Sequence, residues 1–158
     1  ITREMLLPLA WIWHILILSS LGNRESYHNV QQMTFSSAFP LRRQLPAQWL
    51  AGFIVTLIMG SGAMLNFIIN GDGIALLGLF AGALLIPSLA IALGTWSGTS
   101  KTFEIVYLTL WYIGPMNRIP PVDFTNASGE ANPIFFIISA LALIAVAVFG
   151  RARQVKNG

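Results

Sequence analysis

Polar residues in this chain are gathered into a few short stretches, and five almost uninterrupted apolar segments run between them. The segments are Met5–Leu21, Ala47–Ile69, Ile74–Gly94, Phe103–Met116 and Pro133–Gly150. The last is the plainest: IFFIISALALIAVAVF, from Ile134 to Phe149, holds no charge and no side-chain amide before GRARQVKNG breaks the pattern. A surface helix of a soluble domain would show a polar face at every turn, and these runs do not. A helix needs about 20 residues to cross a hydrocarbon core of about 30 Å. The pattern therefore predicts an all-α, polytopic transmembrane bundle of about five spans, forming one domain over 1–158. Met5–Leu21 stands at the lower limit of length, and Phe103–Met116 is either a tilted short crossing or a re-entrant helix.

Two connections are long. Gly22 to Pro46 is polar and interrupted, and Asn117 to Asn132 carries Pro120-Pro121 with turn formers that cannot continue a helix. Within the spans, Pro87 predicts a kink. Gly60, Gly62 and Ala63 in the second span, and Gly78 and Gly82 in the third, make small-residue faces suited to close helix packing. The last pair has GxxxG spacing. On the other side of the third span, Leu77 and Leu84 are expected to face lipid. Trp96, Trp111 and Tyr112 fit interfacial anchors. Asn126-Ala127-Ser128 matches a glycosylation acceptor.

Composition sharpens this picture. The chain is 55% hydrophobic and only 9% charged, too few charges for a soluble surface, where roughly 25% is usual. Its net charge of +3 does not point to nucleic acid, because the nine Lys and Arg are spread over short loops. Five alternating spans with the basic tail 151–158 inside place Arg24, Arg42, Arg43, Lys101, Arg151, Arg153 and Lys156 inside and only Arg3 and Arg118 outside. The expected protein is thus a multi-pass protein of the cell inner (plasma) membrane with a cytoplasmic C-terminus and an external loop at 117–132. Treating Phe103–Met116 as re-entrant would put Arg42 and Arg43 outside.

Candidate chemistry is sparse. The chain has no Cys and two His, which disfavours a metal site, and it lacks a GxxxxGK[ST] phosphate loop, an HExxH pair and a nucleophile elbow. No catalytic, cofactor-binding or metal-binding residue is expected. His14, in WIWH, is the only ionisable residue well inside an apolar run. It reads either as part of a pathway or as a neutral hydrogen-bonding group between helices. Glu104 lies three residues after Lys101, so it forms an intrahelical pair or fixes the fourth span against the cytoplasmic loop. In the loop at 22–46, Tyr27, Val30 and Met33 recur at three-residue spacing. A short amphipathic helix there either lies on the membrane or docks into a groove on a soluble partner.

The run GNRE, then Thr34 and Ser36-Ser37, then PLRRQLPAQWLAG opening an apolar span, resembles the intracellular loop of ABC transporter type-2 permeases. ALGTWSGTSKTFEIVYLTLWYIGPMNRIPP is also similar to permeases of this group. The resemblance implies that the five spans match helices two to six of a six-helix subunit, so that the chain is a C-terminal fragment lacking the first helix. It implies a cytoplasmic coupling helix, with Arg24 and Glu25 at the charged pair entering it and Arg42, Arg43 and Gln44 at the foot of the next span. It implies an ABC ATPase partner that carries ATP and Mg, pairing of two permeases as a homodimer or heterodimer, and export of a substrate. The Pro120-Pro121 loop departs from the pair of re-entrant helices that the family places before its last span. Two other classes are weighed beside it. A membrane-embedded enzyme acting on lipid or peptide would gather its polar residues at one depth, whereas His14 is central and Glu104 is at an edge. A non-catalytic scaffold would have no need of the GNRE to RRQLPAQW loop.

Overall fold

The structure is a computed structural model that describes residues 7–22, 40–126 and 130–157. The described residues are helical and irregular, with no strand. In chain order the helices are α1 (Leu7–Ile12), α2 (His14–Leu18), α3 (Pro40–Ile69), α4 (Gly73–Ser97), α5 (Ser100–Trp111) and α6 (Pro133–Asn157). A π-helical turn over Tyr112–Met116 and a 3₁₀ turn over Pro120–Val122 lie between α5 and α6.

Three of the five apolar segments are long enough to cross a membrane: Gln44–Ile69, Gly73–Ser97 and Pro133–Arg153. The other two are short. The first is broken at Trp13, where the backbone closes a three-residue bond from the Leu16 N–H to the Trp13 carbonyl at 3.1 Å. The 12 residues of α5 rise about 18 Å, well short of a hydrocarbon core of about 30 Å.

Equivalent as they look in sequence, the three long helices are not equivalent in the bundle. The apolar window of α4 is 72% buried inside the bundle, against 22% for α3 and for α6. α4 is therefore the central post. Its buried positions are rich in small residues, among them Ala75, Ala81, Ala83, Ala90 and Ala92, which let neighbouring backbones approach on every side. The outer faces of α3 and α6 stay apolar and exposed, with Ile54, Ile58 and Leu65 on one and Ile134, Ile138 and Leu141 on the other. So much contiguous apolar surface suits lipid or another apolar chain and does not suit water.

Local signals set the turns. Gly71, at φ 67°, allows the reversal between α3 and α4, and the Asp72 carboxylate caps α4 by accepting the Ala75 N–H at 2.9 Å. Gly98, at φ 68°, ends α4, and Thr99 caps α5. α4 runs through Pro87 as one helix. One turn of α3 is clasped to it there: Trp49 Nε1 donates to Ser88 Oγ at 2.9 Å, and that hydroxyl donates to the Leu84 carbonyl at 2.7 Å.

Each long helix extends beyond its apolar run, α3 at its start, α6 at its end and α4 at both. α3 begins at Pro40, so the final part of the polar stretch 22–46 is already helix, and Arg42 and Arg43 stand in its first turns. α6 does not stop at Gly150 but continues to Asn157, so most of the expected tail is helix. Arg151 is buried, and its Nη2 donates to Gln48 Oε1 of α3 at 3.1 Å. Next to it, Trp96 Nε1 donates to the Val146 carbonyl at 2.9 Å, and the Arg153 guanidinium lies 5.7 Å from the Trp96 ring centroid. The start of α3 and the ends of α4 and α6 thus meet at one end of the bundle.

Candidate functional site: a loop folded into the bundle

Part of the stretch 117–132, expected to be an external loop, folds into the helix bundle at 123–126. After the π turn, Arg118 adopts φ 57° and the Pro120–Val122 turn redirects the chain. Asp123, Phe124, Thr125 and Asn126 are then buried. Irregular backbone can lie at such depth only when its polar groups find partners inside the protein. They do: Asp123 Oδ1 accepts the Thr125 N–H at 3.2 Å and the Thr125 hydroxyl at 2.9 Å. Asn126 Oδ1 accepts the Ala131 N–H at 3.2 Å, and its amide nitrogen reaches the Ile74 carbonyl at 3.5 Å. At φ 56°, Asn126 occupies a region that Asn tolerates better than most residues. Being 1% exposed, it offers no accessible amide for glycosylation, and the acceptor reading of Asn126-Ala127-Ser128 is corrected on that ground.

Three glycines make room for this loop. A Cβ at Gly114 would land on the Val122 carbonyl oxygen, and one at Gly82 on the Phe124 carbonyl oxygen. At Gly78 it would lie 2.5 Å from the Asn126 Cβ. Gly82 stands nine residues into α4, so the loop reaches about 13 Å along that helix from its start. Gly78 and Gly82, singled out for packing against another span, therefore border the 123–126 segment. Gly82 also faces the Trp11 ring, which a Cβ at this position would approach to 3.1 Å. Leu77 is 57% exposed, whereas Leu84, two turns further along the same side of the helix, is half-buried and packs partly against the core.

Phe124 is the tip of the insertion. Its ring lies 6.0 Å from Trp11 and 5.7 Å from Tyr107, centroid to centroid. The break at Trp13 makes this knot polar as well as aromatic. The Trp11 carbonyl receives the Tyr107 hydroxyl at 2.6 Å and lies 2.9 Å from His14 Nδ1. Trp111 Nε1 donates to the Pro8 carbonyl at 2.7 Å. Trp111 is therefore buried between segments and is not an interfacial anchor, while Trp96 and Tyr112 are exposed. Two fully buried polar atoms, Trp11 Nε1 and His14 Nε2, have no hydrogen-bond partner among the described residues, and the two rings are 4.9 Å apart.

His14 thus bonds within its own segment and makes no bond across to another helix among the described residues. Glu104 pairs with Lys101 at 3.1 Å on the first turns of α5, its side chain 28% exposed. No hydrogen bond or ion pair joins it to His14. Arg24, Glu25, Tyr27, Val30 and Met33 lie outside the described residues. Among the described residues, no three His, Asp or Glu side chains lie together as a metal site would require.

The Tyr107 and Trp111 bonds tie the broken first segment to α5, and each is expected to contribute about 1 kcal/mol, or up to about 3 where its loss strands a buried acceptor. Tyr107→Phe and Trp111→Phe should each lower the thermal midpoint of the purified protein in detergent. The pair should depart from additivity, because the two donors are one turn apart on α5 and hold carbonyls of the same short segment. Unchanged midpoints in both variants would show that the first segment is held by packing alone.

No protein-family model, curated protein or solved structure matches this chain.

Proposed function

We propose that the chain is the membrane-spanning permease part of a type-2 ABC exporter, supplying the translocation pathway and coupling it to a separate ATPase. The observation that carries this reading is the gathering of basic residues at one end of an all-helical apolar bundle. Arg151 is bonded to Gln48 near the foot of α3, and Arg153 lies on Trp96 at the end of α4. Lys101 follows one turn later, on α5. Such an end suits a cytoplasmic face, and it is where the stretch resembling a coupling loop joins α3. ATP and Mg would be bound by the partner, and nucleic acid has no place in the mechanism. In this reading the first segment and α5 also cross, the buried loop at 120–126 completing the outer half that α5 is too short to fill. Two copies, identical or not, would enclose the pathway, using the exposed apolar faces that otherwise meet lipid.

The mechanical step follows from two-state energetics. A partner can shift the permease only through contacts that differ between its ATP-bound and ATP-free states. Tyr27, Val30 and Met33 would form the apolar side of the coupling helix, with Arg24, Glu25, Arg42 and Arg43 around it. Replacing Val30 and Met33 with Asp should weaken capture of the ATPase and uncouple hydrolysis from transport while leaving insertion intact. Normal transport and co-purification of both variants would remove the coupling role.

Topology offers a second test. With no native Cys, single cysteines placed at Ser37 and in the segment after Gly150 should react only from the cytoplasmic side. One placed at Asn132 should react from outside. Labelling of the Ser37 cysteine from outside would invert the whole arrangement.

A further inference from the structure

One side of α6 changes character near the end of the helix. Ala142, Val146 and Phe149 recur there at spacings of four and three residues, all exposed, and Arg153 and Lys156 continue the same alternation. On a helix these five positions form one stripe, apolar for about 10 Å and cationic over its last turn. Trp96 of α4 stands beside the point of change. Its Nε1 donates to the Val146 carbonyl at 2.9 Å, and its ring stacks on Phe149 with centroids 6.4 Å apart. The Arg153 guanidinium lies over the same ring, 5.7 Å from its centroid. Gly150 makes room for the indole, since a Cβ there would be 2.6 Å from Nε1. One half-exposed indole thus touches both the last aromatic of the apolar part and the first cation beyond it.

The charges around the stripe choose its partner. Among the described residues Glu104 supplies the one carboxylate at this end of the bundle, and it pairs with Lys101 at 3.1 Å. Asp72 and Glu130 precede α4 and α6 and so belong to the opposite end, and Asp123 is buried in the inserted loop. Attraction to a ring face leaves the in-plane N–H donors of a guanidinium open to a bidentate acceptor such as phosphate. A soluble acidic partner has no use for an apolar track beneath the cations, whereas a phospholipid carries its phosphate directly above hydrocarbon. We propose that this stripe binds one anionic phospholipid, with the phosphate at Arg153 and Lys156 and an acyl chain along Phe149 and Val146 beside Trp96. A zwitterionic headgroup brings its own ammonium, which the second cation repels. A purely topological role would need only the summed charge at this end, while a lipid site needs these two cations above this aromatic pair. The site requires that the bundle lie in a bilayer but needs neither an ATPase nor transport, so its failure leaves the exporter reading standing.

The test is native mass spectrometry of the purified chain in neutral detergent, titrated with dioleoylphosphatidylglycerol or dioleoylphosphatidylcholine. The first phosphatidylglycerol should bind more tightly than the first phosphatidylcholine. A basic residue beside an anionic headgroup is worth roughly fivefold in affinity, so Arg153→Gln and Lys156→Gln should each weaken the phosphatidylglycerol site by about that factor. The double variant should bind the two lipids about equally. Lys101→Gln, which removes the same charge from the same end, should leave the preference in place. Phe149→Ala should weaken both lipids. Glycerol 3-phosphate and hexaglutamate, which carry charge without an acyl chain, should not displace the bound lipid. All the altered positions but Lys101 lie on the exposed stripe, and Lys156→Gln alone carries the test if Arg153→Gln loses its fold. Equal affinity of the parent for the two lipids would overturn the site. A loss in Lys101→Gln as large as in the stripe variants would overturn it too, leaving only summed charge. Displacement by glycerol 3-phosphate or hexaglutamate at the lipid's own concentration would give the stripe to a soluble anion or an acidic protein instead.

Discussion

Gly82→Leu should expel the buried loop and give the largest loss of folded protein of any single change in the third span. Its Cβ would meet the Phe124 carbonyl oxygen and the Trp11 ring, neither of which can swing aside as a flexible side chain would. Overpacking a filled site costs about 1–3 kcal/mol. Expelling the loop would add to this, because each buried polar group of Asp123, Thr125 and Asn126 left unpaired costs about 1–3 kcal/mol. Gly78→Leu should also destabilise, since its Cβ would lie 2.5 Å from the Asn126 Cβ, and Gly78→Ala combined with Asn126→Gly, which removes that atom, should recover part of the loss. Leu77→Phe, on an exposed position, should behave like the parent. Leu84→Phe should not, because Leu84 packs partly against the core. Yield of monodisperse protein by size-exclusion chromatography, with the thermal midpoint in detergent, reads all five. If Gly82→Leu keeps the parent's midpoint, the loop is not held where the structure places it.

The all-helical, apolar character of this molecule was legible from segment lengths alone, because runs such as Ile134–Phe149 allow no other economical burial of backbone. Which helix is central was not. Apolar runs report only that a helix avoids water, and lipid and protein neighbours are equally apolar. The one distinguishing mark was the density of Ala and Gly in α4, which close packing on every side demands. The loop insertion was hidden for a different reason. Proline pairs and turn formers at 117–132 ordinarily mark a surface, and nothing local distinguishes a polar turn exposed to water from one whose Asp123 and Asn126 bond to nearby backbone inside a bundle. Phe124, an isolated aromatic within that polar stretch, was the available signal, and Gly78 and Gly82 four residues apart were its counterpart on α4. The GxxxG spacing pointed to a close approach, but an approach by a loop satisfies it as well as one by a helix. His14 was legible as buried and not as bonded: the break at Trp13 that aims it at the Trp11 carbonyl has no proline or glycine to announce it.

Arg151 provides the other large expected effect, and it separates two roles that a basic residue can play at the end of a span. As one of seven Lys and Arg on one side, it would act through charge alone, and any cation would serve. The structure gives it a second role, since it is 3% exposed and its Nη2 bonds to Gln48 Oε1 at 3.1 Å, holding the end of α6 against α3. Gly150 beside it lies so close to Trp96 that a Cβ would be 2.6 Å from the indole nitrogen, which leaves α6 little freedom to shift. Arg151→Lys keeps the charge but loses the planar fork that reaches its partners from a fixed geometry. It should therefore insert with the parent's topology yet lose about 1–2 kcal/mol of stability. Arg151→Glu should cost about 3–5 kcal/mol, because it leaves a buried charge among partners arranged for a cation. Arg153→Lys, on an exposed position, should be nearly silent. Unfolding by denaturing detergent measures the stability of each variant, and single-cysteine labelling reports its topology. An Arg151→Lys protein as stable as the parent would leave only the charge role, and the end of α6 would then be held by Trp96 of α4 and by apolar packing alone.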